Sequence, residues 1–275
     1  NNLALGRMYD PELEGINPCG EQQLHNRESC NLAEIFPALF DGSVPTEQIF
    51  KLVTRYTLRQ RLTPLTDPLA EEQRRKNMRI GVGLGGICDF DWTEEQLHDW
   101  YRIVCDEANS YADELGVARP ITKTTVKPSG TISLLNGSDP GLHAPEAPFY
   151  VRRMRISLQE PMAQALAEAN VPFEPDIYDN TGNTMVFSFP MRARNQKISA
   201  LTQTLEEQFE RQLAVQKAWA DNAVSCTIKF DKDEAGDMAR MLGHYAPQLK
   251  SVSMLPKAHG YKQAPYEPIT EDEYV

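Results

Sequence analysis

Asn17-Pro18-Cys19-Gly20-Glu21 and, a few residues on, Glu28-Ser29-Cys30-Asn31-Leu32 are the stretches from which the chain is best read. Pro18 has a fixed φ and no amide hydrogen, and Gly20 admits backbone conformations closed to other residues. Cys19 between them therefore cannot lie inside a regular helix or a central strand. The stretch is predicted to form the tip of a tight loop, presenting a thiol flanked by the Asn17 amide and the Glu21 carboxylate. A cysteine is by default a small buried hydrophobe. The polar and conformationally special neighbours of Cys19 oppose that reading.

Outward from this loop, Asn31 to Phe36 reads as a short, largely buried strand, ended by Pro37 and the turn at Asp41-Gly42. Thr46 caps a helix with Ile49, Phe50, Val53, Tyr56 and Leu58 near helical spacing, and Pro64 stops it. A second helical run from Leu69 to Met78 is charged on one face; Arg74, Arg75, Lys76 and Arg79 read as a solvated face, with phosphate contact as the functional alternative. The glycines of Arg79 to Gly86 lack the strand, turn and downstream acid of a dinucleotide loop, and fit close backbone packing instead. Thr93 opens a helix that ends at Gly116, with Leu97, Trp100, Val104, Ala108 and Tyr111 on one face. Cys105 in that stripe, and Cys88, read as core because neither has a His or Cys at ligand spacing.

The strand Ile121 to Val126 leads into Pro128-Ser129-Gly130-Thr131-Ile132-Ser133. Such a turn of small residues can aim backbone N–H groups and hydroxyls at an anion, although Ser, Gly and Thr also make ordinary turns. Asn136 to Pro148 is a long irregular loop, the kind that is often functional. His143 within it reads as structural, since nothing places a carboxylate or nucleophile beside it. A strand over Phe149 to Ile156 carries Arg152, Arg153 and Arg155, a source of local positive charge. There follow a helix over Glu160 to Asn170, a strand over Met185 to Phe189, a helix over Ser199 to Ala220, a strand over Val224 to Phe230, a helix over Glu234 to Tyr245 and a strand over Leu249 to Leu255. This alternating order predicts an α/β fold with a mostly parallel sheet. It does not distinguish an open sheet from a barrel.

At these residues the chain resembles the catalytic subunit of ribonucleotide reductases, most closely the adenosylcobalamin-dependent (class II) ribonucleoside-triphosphate reductases. The resemblance rests on Asn17 to Glu21 and continues through Thr124 to Ser133, Tyr150 to Ile156, Asn222 to Thr227 and Gly260 to Tyr266, so it spans nearly the whole chain. It implies the later, C-terminal half of a ten-stranded α/β barrel of the radical-enzyme type, residues 1–275 forming that half-barrel with a finger loop over 15–24. It further implies that Cys19 carries a transient thiyl radical, that Glu21 is the base on the substrate 3′-hydroxyl, that Asn17 is the hydrogen-bonding amide and that Cys30 is half of a reducing pair. Pro128, Ser129, Gly130, Thr131 and Ser133 would hold the substrate phosphate. The implied reaction converts ribonucleotides to 2′-deoxyribonucleotides for DNA synthesis. Implied partners are a ribonucleotide, a dithiol reductant such as thioredoxin, and the N-terminal half of the reductase, in cis or as a separate chain, which would hold the other reducing cysteine.

Reductases that import their radical from a second subunit carry adjacent tyrosines on a late strand. Lys250-Ser251-Val252-Ser253-Met254-Leu255 contains none, which favours adenosylcobalamin as the cofactor. No Asp-x-His-x-x-Gly signature occurs, so the resemblance implies a cobalamin bound without a protein histidine on cobalt. A glycyl-radical enzyme would share a barrel and a cysteine loop, but Gly260 lacks the Arg-Val-x-Gly context that class requires. A non-catalytic piece of a split reductase, active only when assembled, is the other alternative.

Composition agrees with a globular enzyme. The 275 residues are 41% hydrophobic, enough to bury a sizeable core. No apolar run is long enough to span a bilayer, and no apolar segment follows a basic start at the first residues, so the chain reads as cytoplasmic. Five cysteines without Cys-x-x-Cys spacing oppose a zinc site or a disulfide framework, and no metal ligand set is expected. A net charge of −11 opposes direct DNA binding.

Overall fold

A computed structural model describes residues 6–257 and 260–275. The chain divides into two compact units, Asn1–His143 with Thr204–Pro256, and Ala144–Gln203 with Lys257–Val275. In chain order the first unit contributes β1 (Gly15–Ile16), β2 (Gln23–Leu24), β3 (Leu32–Ile35), α1 (Thr46–Arg61), α2 (Pro68–Asn77), β4 (Gly81–Leu84), α3 (Glu94–Leu115) and β5 (Thr124–Thr125). The chain then enters the second unit for β6 (Phe149–Ser157), α4 (Pro161–Glu168), β7 (Phe173–Pro175) and β8 (Thr184–Arg192). It returns to the first for α5 (Leu205–Ala218), β9 (Thr227–Phe230), α6 (Met238–Tyr245) and β10 (Ser253–Pro256), and ends in the second with β11 (Tyr266–Pro268) and α7 (Glu271–Tyr274).

In the first unit β3, β4 and β5 pair in parallel, β9 pairs in parallel with β10, and a parallel bridge joins Val126 to Val224. This is the expected βα order. The helices cover one face, where Phe50, Leu58, Ile80, Val82, Leu84, Leu97, Val104, Phe209 and Trp219 form a buried core. Phe50 stacks on Trp100 with ring centroids 5.1 Å apart, the kind of aromatic contact worth about 1 kcal/mol beyond its buried area. The predicted end of α3 is present: Thr93 accepts from Gln96 N–H and Gly116 adopts φ +66°. Thr46 lies inside α1 instead of capping it, the N-cap being Pro45. The helix expected from Ser199 begins at Leu205, because Thr204 and Glu207 build a capping box there.

The second unit departs from the parallel expectation. Its sheet runs β11-β6-β8-β7 and every pairing in it is antiparallel. A hairpin absent from the sequence reading causes this: β7 turns back into β8 through Asp179 to Gly182, where Asp179 accepts from Thr181 N–H at 2.8 Å and Gly182 has φ +71°. α4 therefore connects β6 to β7, which run the same way on either side of β8, and not two neighbouring parallel strands. Ile156, Ala163 and Phe187 form this unit's core.

The charged run also differs from expectation. Arg75 and Lys76 are exposed, but Arg74 and Arg79 are buried. Arg74 pairs with Glu71, and Arg79 lies 2.9 Å from Asp10 and 3.0 Å from Glu28. Burial of a guanidinium requires such partners. Arg152, Arg153 and Arg155 are likewise engaged within their own unit, by Pro265 and Tyr266, by Glu267 and by Asp176 respectively. No described helix is long and apolar enough to cross a membrane.

Candidate active site

The loop expected at Cys19 is the connection between the antiparallel β1 and β2, in register Gly15↔Leu24 and Ile16↔Gln23. Asn17 N–H donates to Gln22 O at 3.0 Å, and Gly20 N–H donates to Asn17 O at 2.9 Å. The second bond closes a reverse turn with Pro18 in second and Cys19 in third position, where the fixed φ of proline is favourable. Gly20 has φ +76°, a conformation that requires glycine. Cys19 is exposed at the tip.

Fixed contacts hold this tip. Ser225 Oγ donates to Cys19 O at 2.5 Å. Glu21 O accepts from Ala223 N–H at 2.9 Å and lies 3.0 Å from the Thr125 hydroxyl on β5. Asn17 Oδ1 accepts from Gln22 N–H at 2.9 Å, which sets the carboxamide plane. Its Nδ2 donates to Glu21 Oε1 at 2.8 Å and lies 3.5 Å from Cys30 Sγ. Glu21 is fully buried, and its Oε2 has no hydrogen-bond partner among the described residues. A buried carboxylate oxygen left in this state is costly unless something else uses it.

Cys30 is held from both sides. Arg61 donates to Ser29 O at 2.8 Å and to Ser29 Oγ at 2.6 Å, and Asn31 N–H donates to Gln22 Oε1 at 3.2 Å. Behind Ser29, Glu28 accepts from His25 N–H at 2.9 Å, and the His25 ring lies 2.8 Å from Asp10. Desolvation, then the nearby Glu21 charge, push the Cys30 thiol up from its ordinary range.

The segment from Pro128 to Ser133 follows β5. Ser129 is buried, in the left-handed region at φ +34°, and its hydroxyl donates to Glu34 Oε1 on β3. Ser133 is buried with its hydroxyl unpartnered among the described residues, Thr131 is exposed, and a Cβ added to Gly130 would meet nothing within 4 Å. The segment closes in a 3-10 turn over Ile132–Leu135, where an anion loop would ordinarily lead into an α-helix.

Asn17, Glu21 and Cys30 are thus brought together, with Cys19 on the same loop. Glu34 was missed in the sequence reading. Its signal is alternation: Ile35 of the same strand enters the core, so Glu34 faces the opposite way, a carboxylate on an inner sheet face. Of the two cysteines read as core, Cys88 is buried and Cys105 half-buried. Cys226 is buried as well, and desolvation pushes the Cys88 and Cys226 thiols up to about 12. His143 is structural: its Nδ1 lies 2.9 Å from Pro140 O and its Nε2 accepts from Thr227 N–H at 3.0 Å.

No protein-family model matches the chain. It is 37% identical over 99% of its length to the adenosylcobalamin-dependent ribonucleoside-triphosphate reductase of Lactobacillus acidophilus, and 33% identical over the same share to that of Lactobacillus leichmannii. The chain spans about 43% of the length of these curated relatives. Its fold is similar to a crystal structure of a B-12 dependent (class II) ribonucleotide reductase, with TM-score 0.86 and 33% identity, covering 97% of this chain and 42% of that one. A class Id ribonucleotide reductase alpha subunit from Actinobacillus ureae shares the fold at TM-score 0.61 and 13% identity, over 93% of this chain and 56% of that one. The resemblance read from the motifs therefore extends over the whole chain, and the α/β architecture is that of part of the reductase barrel.

Proposed function

We propose that this chain supplies the radical-bearing part of an adenosylcobalamin-dependent ribonucleotide reductase, reducing ribonucleoside triphosphates at the 2′-carbon. One observation carries the reading: Asn17 Nδ2 bridges Glu21 Oε1 and Cys30 Sγ, while Glu21 Oε2 is buried and unpartnered among the described residues. A base, a neutral donor and a thiol converge beside the exposed Cys19, an arrangement that fits attack on adjacent positions of a ribose.

Each residue then has a definable role. Cys19, as a thiyl, takes the 3′-hydrogen and becomes a thiol. Glu21 Oε2 accepts the 3′-hydroxyl proton, which favours departure of the 2′-hydroxyl as water. Cys30 and a second thiol deliver two electrons, closing a disulfide that an external dithiol reopens by exchange. The net change is ribonucleotide plus two thiols to deoxyribonucleotide, disulfide and water. The resemblance assigns the second thiol to the remaining part of the reductase, in cis or as a separate chain. Ser129, Gly130, Thr131 and Ser133 would hold the substrate phosphate.

The residues around the tip fit adenosylcobalamin as radical source. Cys19 is exposed, Gly20 and Ser225 beside it are small, and a Cβ on Gly20 would lie 3.6 Å from Ser251 Oγ. The late strand segment thus meets the loop with a serine and not a tyrosine. When bound, the cofactor supplies the oxidising radical equivalent that converts the Cys19 thiol to a thiyl. No disulfide joins the five cysteines, all of which are among the described residues, and this fits a reducing, cytoplasmic setting.

The test is Cys19→Ser in the assembled reductase. Nucleotide reduction should vanish while substrate binding survives, because a hydroxyl matches the thiol in size but not as a radical carrier. Reduction persisting near the parent rate would remove Cys19 from the radical path.

A further inference from the structure

The inner face that carries Cys30 holds a second carboxyl group with no part in the steps above. Glu34 pairs across the β3–β4 ladder with Gly83. A Cβ on Gly83 would come within 3.3 Å of Glu34 Cγ and 3.2 Å of Ala33 O, so any larger residue there would crowd the glutamate. Three groups address the carboxyl: the Ser129 hydroxyl donates to its Oε1, the Lys127 ammonium two residues past β5 favours its charged form, and Glu21 of the finger loop opposes it. Desolvation is the largest influence, the Glu21 charge adds to it and Lys127 offsets them only in part, so the carboxyl is pushed up to about 7.

A serine hydroxyl has one proton to give. An ionised Glu34 can only accept, so it keeps that proton, and Ser129 has none to offer an anion. A protonated Glu34 can donate its own O–H to Ser129 Oγ, which releases the serine proton from Glu34, with Lys127 O at 3.3 Å as the competing acceptor within the loop. We propose that Glu34 is a positioning residue of the phosphate loop: its protonation reverses the Glu34–Ser129 hydrogen bond and frees the Ser129 hydroxyl for the substrate's phosphate. The inference rests on the phosphate-loop reading of Pro128 to Ser133. The proton enters from solvent as the anion binds and returns when it leaves, and only O–H bonds change. Placing a phosphate beside an ionised Glu34 would also be repulsive, which drives the uptake in the same direction.

The test measures binding of ATP, without reductant or cobalamin, to the assembled reductase from pH 6 to 8.5. The triphosphate titrates in this range, so the readout is the difference between proteins. Glu34→Gln carries an amide that donates permanently to Ser129 and should bind ATP with the affinity that the parent reaches near pH 6. Above pH 7 the parent should fall behind Glu34→Gln by up to about tenfold per pH unit, the limit for one linked proton. Glu34→Ala, which removes the acceptor altogether, should also lose this extra pH dependence. In a Ser129→Ala background the Glu34→Gln substitution should change the profile less than in the parent, the charge repulsion alone being left, and an equal change in both backgrounds would overturn the hydrogen-bond reversal. Parallel profiles for parent and Glu34→Gln, with Ser129→Ala weakening both, would overturn the Glu34 role and leave the phosphate loop standing. Unchanged ATP affinity in both Ser129→Ala and Thr131→Ala would instead overturn the phosphate loop itself, and this inference with it.

Discussion

Asn17 Nδ2 donates to Glu21 Oε1 at 2.8 Å, so one oxygen of a fully buried carboxyl group is fixed, and the other, without a hydrogen-bond partner among the described residues, is the one proposed to act as a base. The amide carries no proton affinity that competes with the carboxylate near neutral pH, so orientation and basicity are held by different groups.

Glu21→Gln keeps the size of the side chain and removes the base. Turnover should fall by about 10²- to 10⁴-fold, the usual range for a positioned acid or base, with substrate affinity little altered. Steady-state reduction and equilibrium nucleotide binding check this together. A variant turning over at the parent rate would take Glu21 out of the mechanism.

Cys30→Ser separates hydrogen abstraction from reduction. Asn17 Nδ2 lies 3.5 Å from Cys30 Sγ, so the serine hydroxyl can meet the same amide and the loop should keep its shape. Multiple turnover should stop, because no disulfide can form. Abstraction at the 3′-carbon by Cys19 precedes that step and should continue, which release or exchange of tritium from 3′-labelled nucleotide would report. Complete absence of label release would mean that Cys30 supports the radical step itself.

Much of this site was legible because it is local. Pro18 and Gly20 bracket Cys19 tightly enough that a loop was the conformation left, and the turn closed by Gly20 N–H and Asn17 O follows from those residue types. The parallel order of β3, β4 and β5 followed from strands separated by helices long enough to cross back. What remained hidden depended on groups distant in sequence. Arg79 reads as a surface charge until Asp10 and Glu28 are seen to enclose it. Ser129 reads as a free loop hydroxyl until Glu34, 95 residues away, is found to accept its proton. The antiparallel sheet of the second unit was missed for a related reason: Asp179 to Gly182 carries turn residues, but β7 is only Phe173–Pro175 and its residues are exposed, so it lacks the apolar pattern that marks a strand.

Thr125 is expected to be the main support of the finger loop from the sheet. Its hydroxyl, on a fully buried side chain, lies 3.0 Å from both Glu21 O and Ala223 O, the two carbonyls at the junction of the loop with β5 and with the segment after α5. Thr125→Val preserves the shape and deletes the donor. Glu21 O still accepts from Ala223 N–H at 2.9 Å, so the fold should survive with a loss of about 1–3 kcal/mol, the range for an acceptor left partly unsatisfied in a buried site. Catalysis should suffer more than stability. A shift of the loop approaching 1 Å moves Cys19 and Glu21 relative to the ribose, and displacements of that size cost up to about 10²-fold. The assembled Thr125→Val reductase should therefore lose about 10- to 100-fold in kcat, while nucleotide affinity, which we assign to the Pro128 to Ser133 segment, should change little. Thr125→Ser, which restores the hydroxyl and removes only a methyl group, should recover most of the lost kcat. Equal losses in the valine and serine variants would assign the effect to packing and leave the hydrogen bond to Glu21 O without a catalytic consequence.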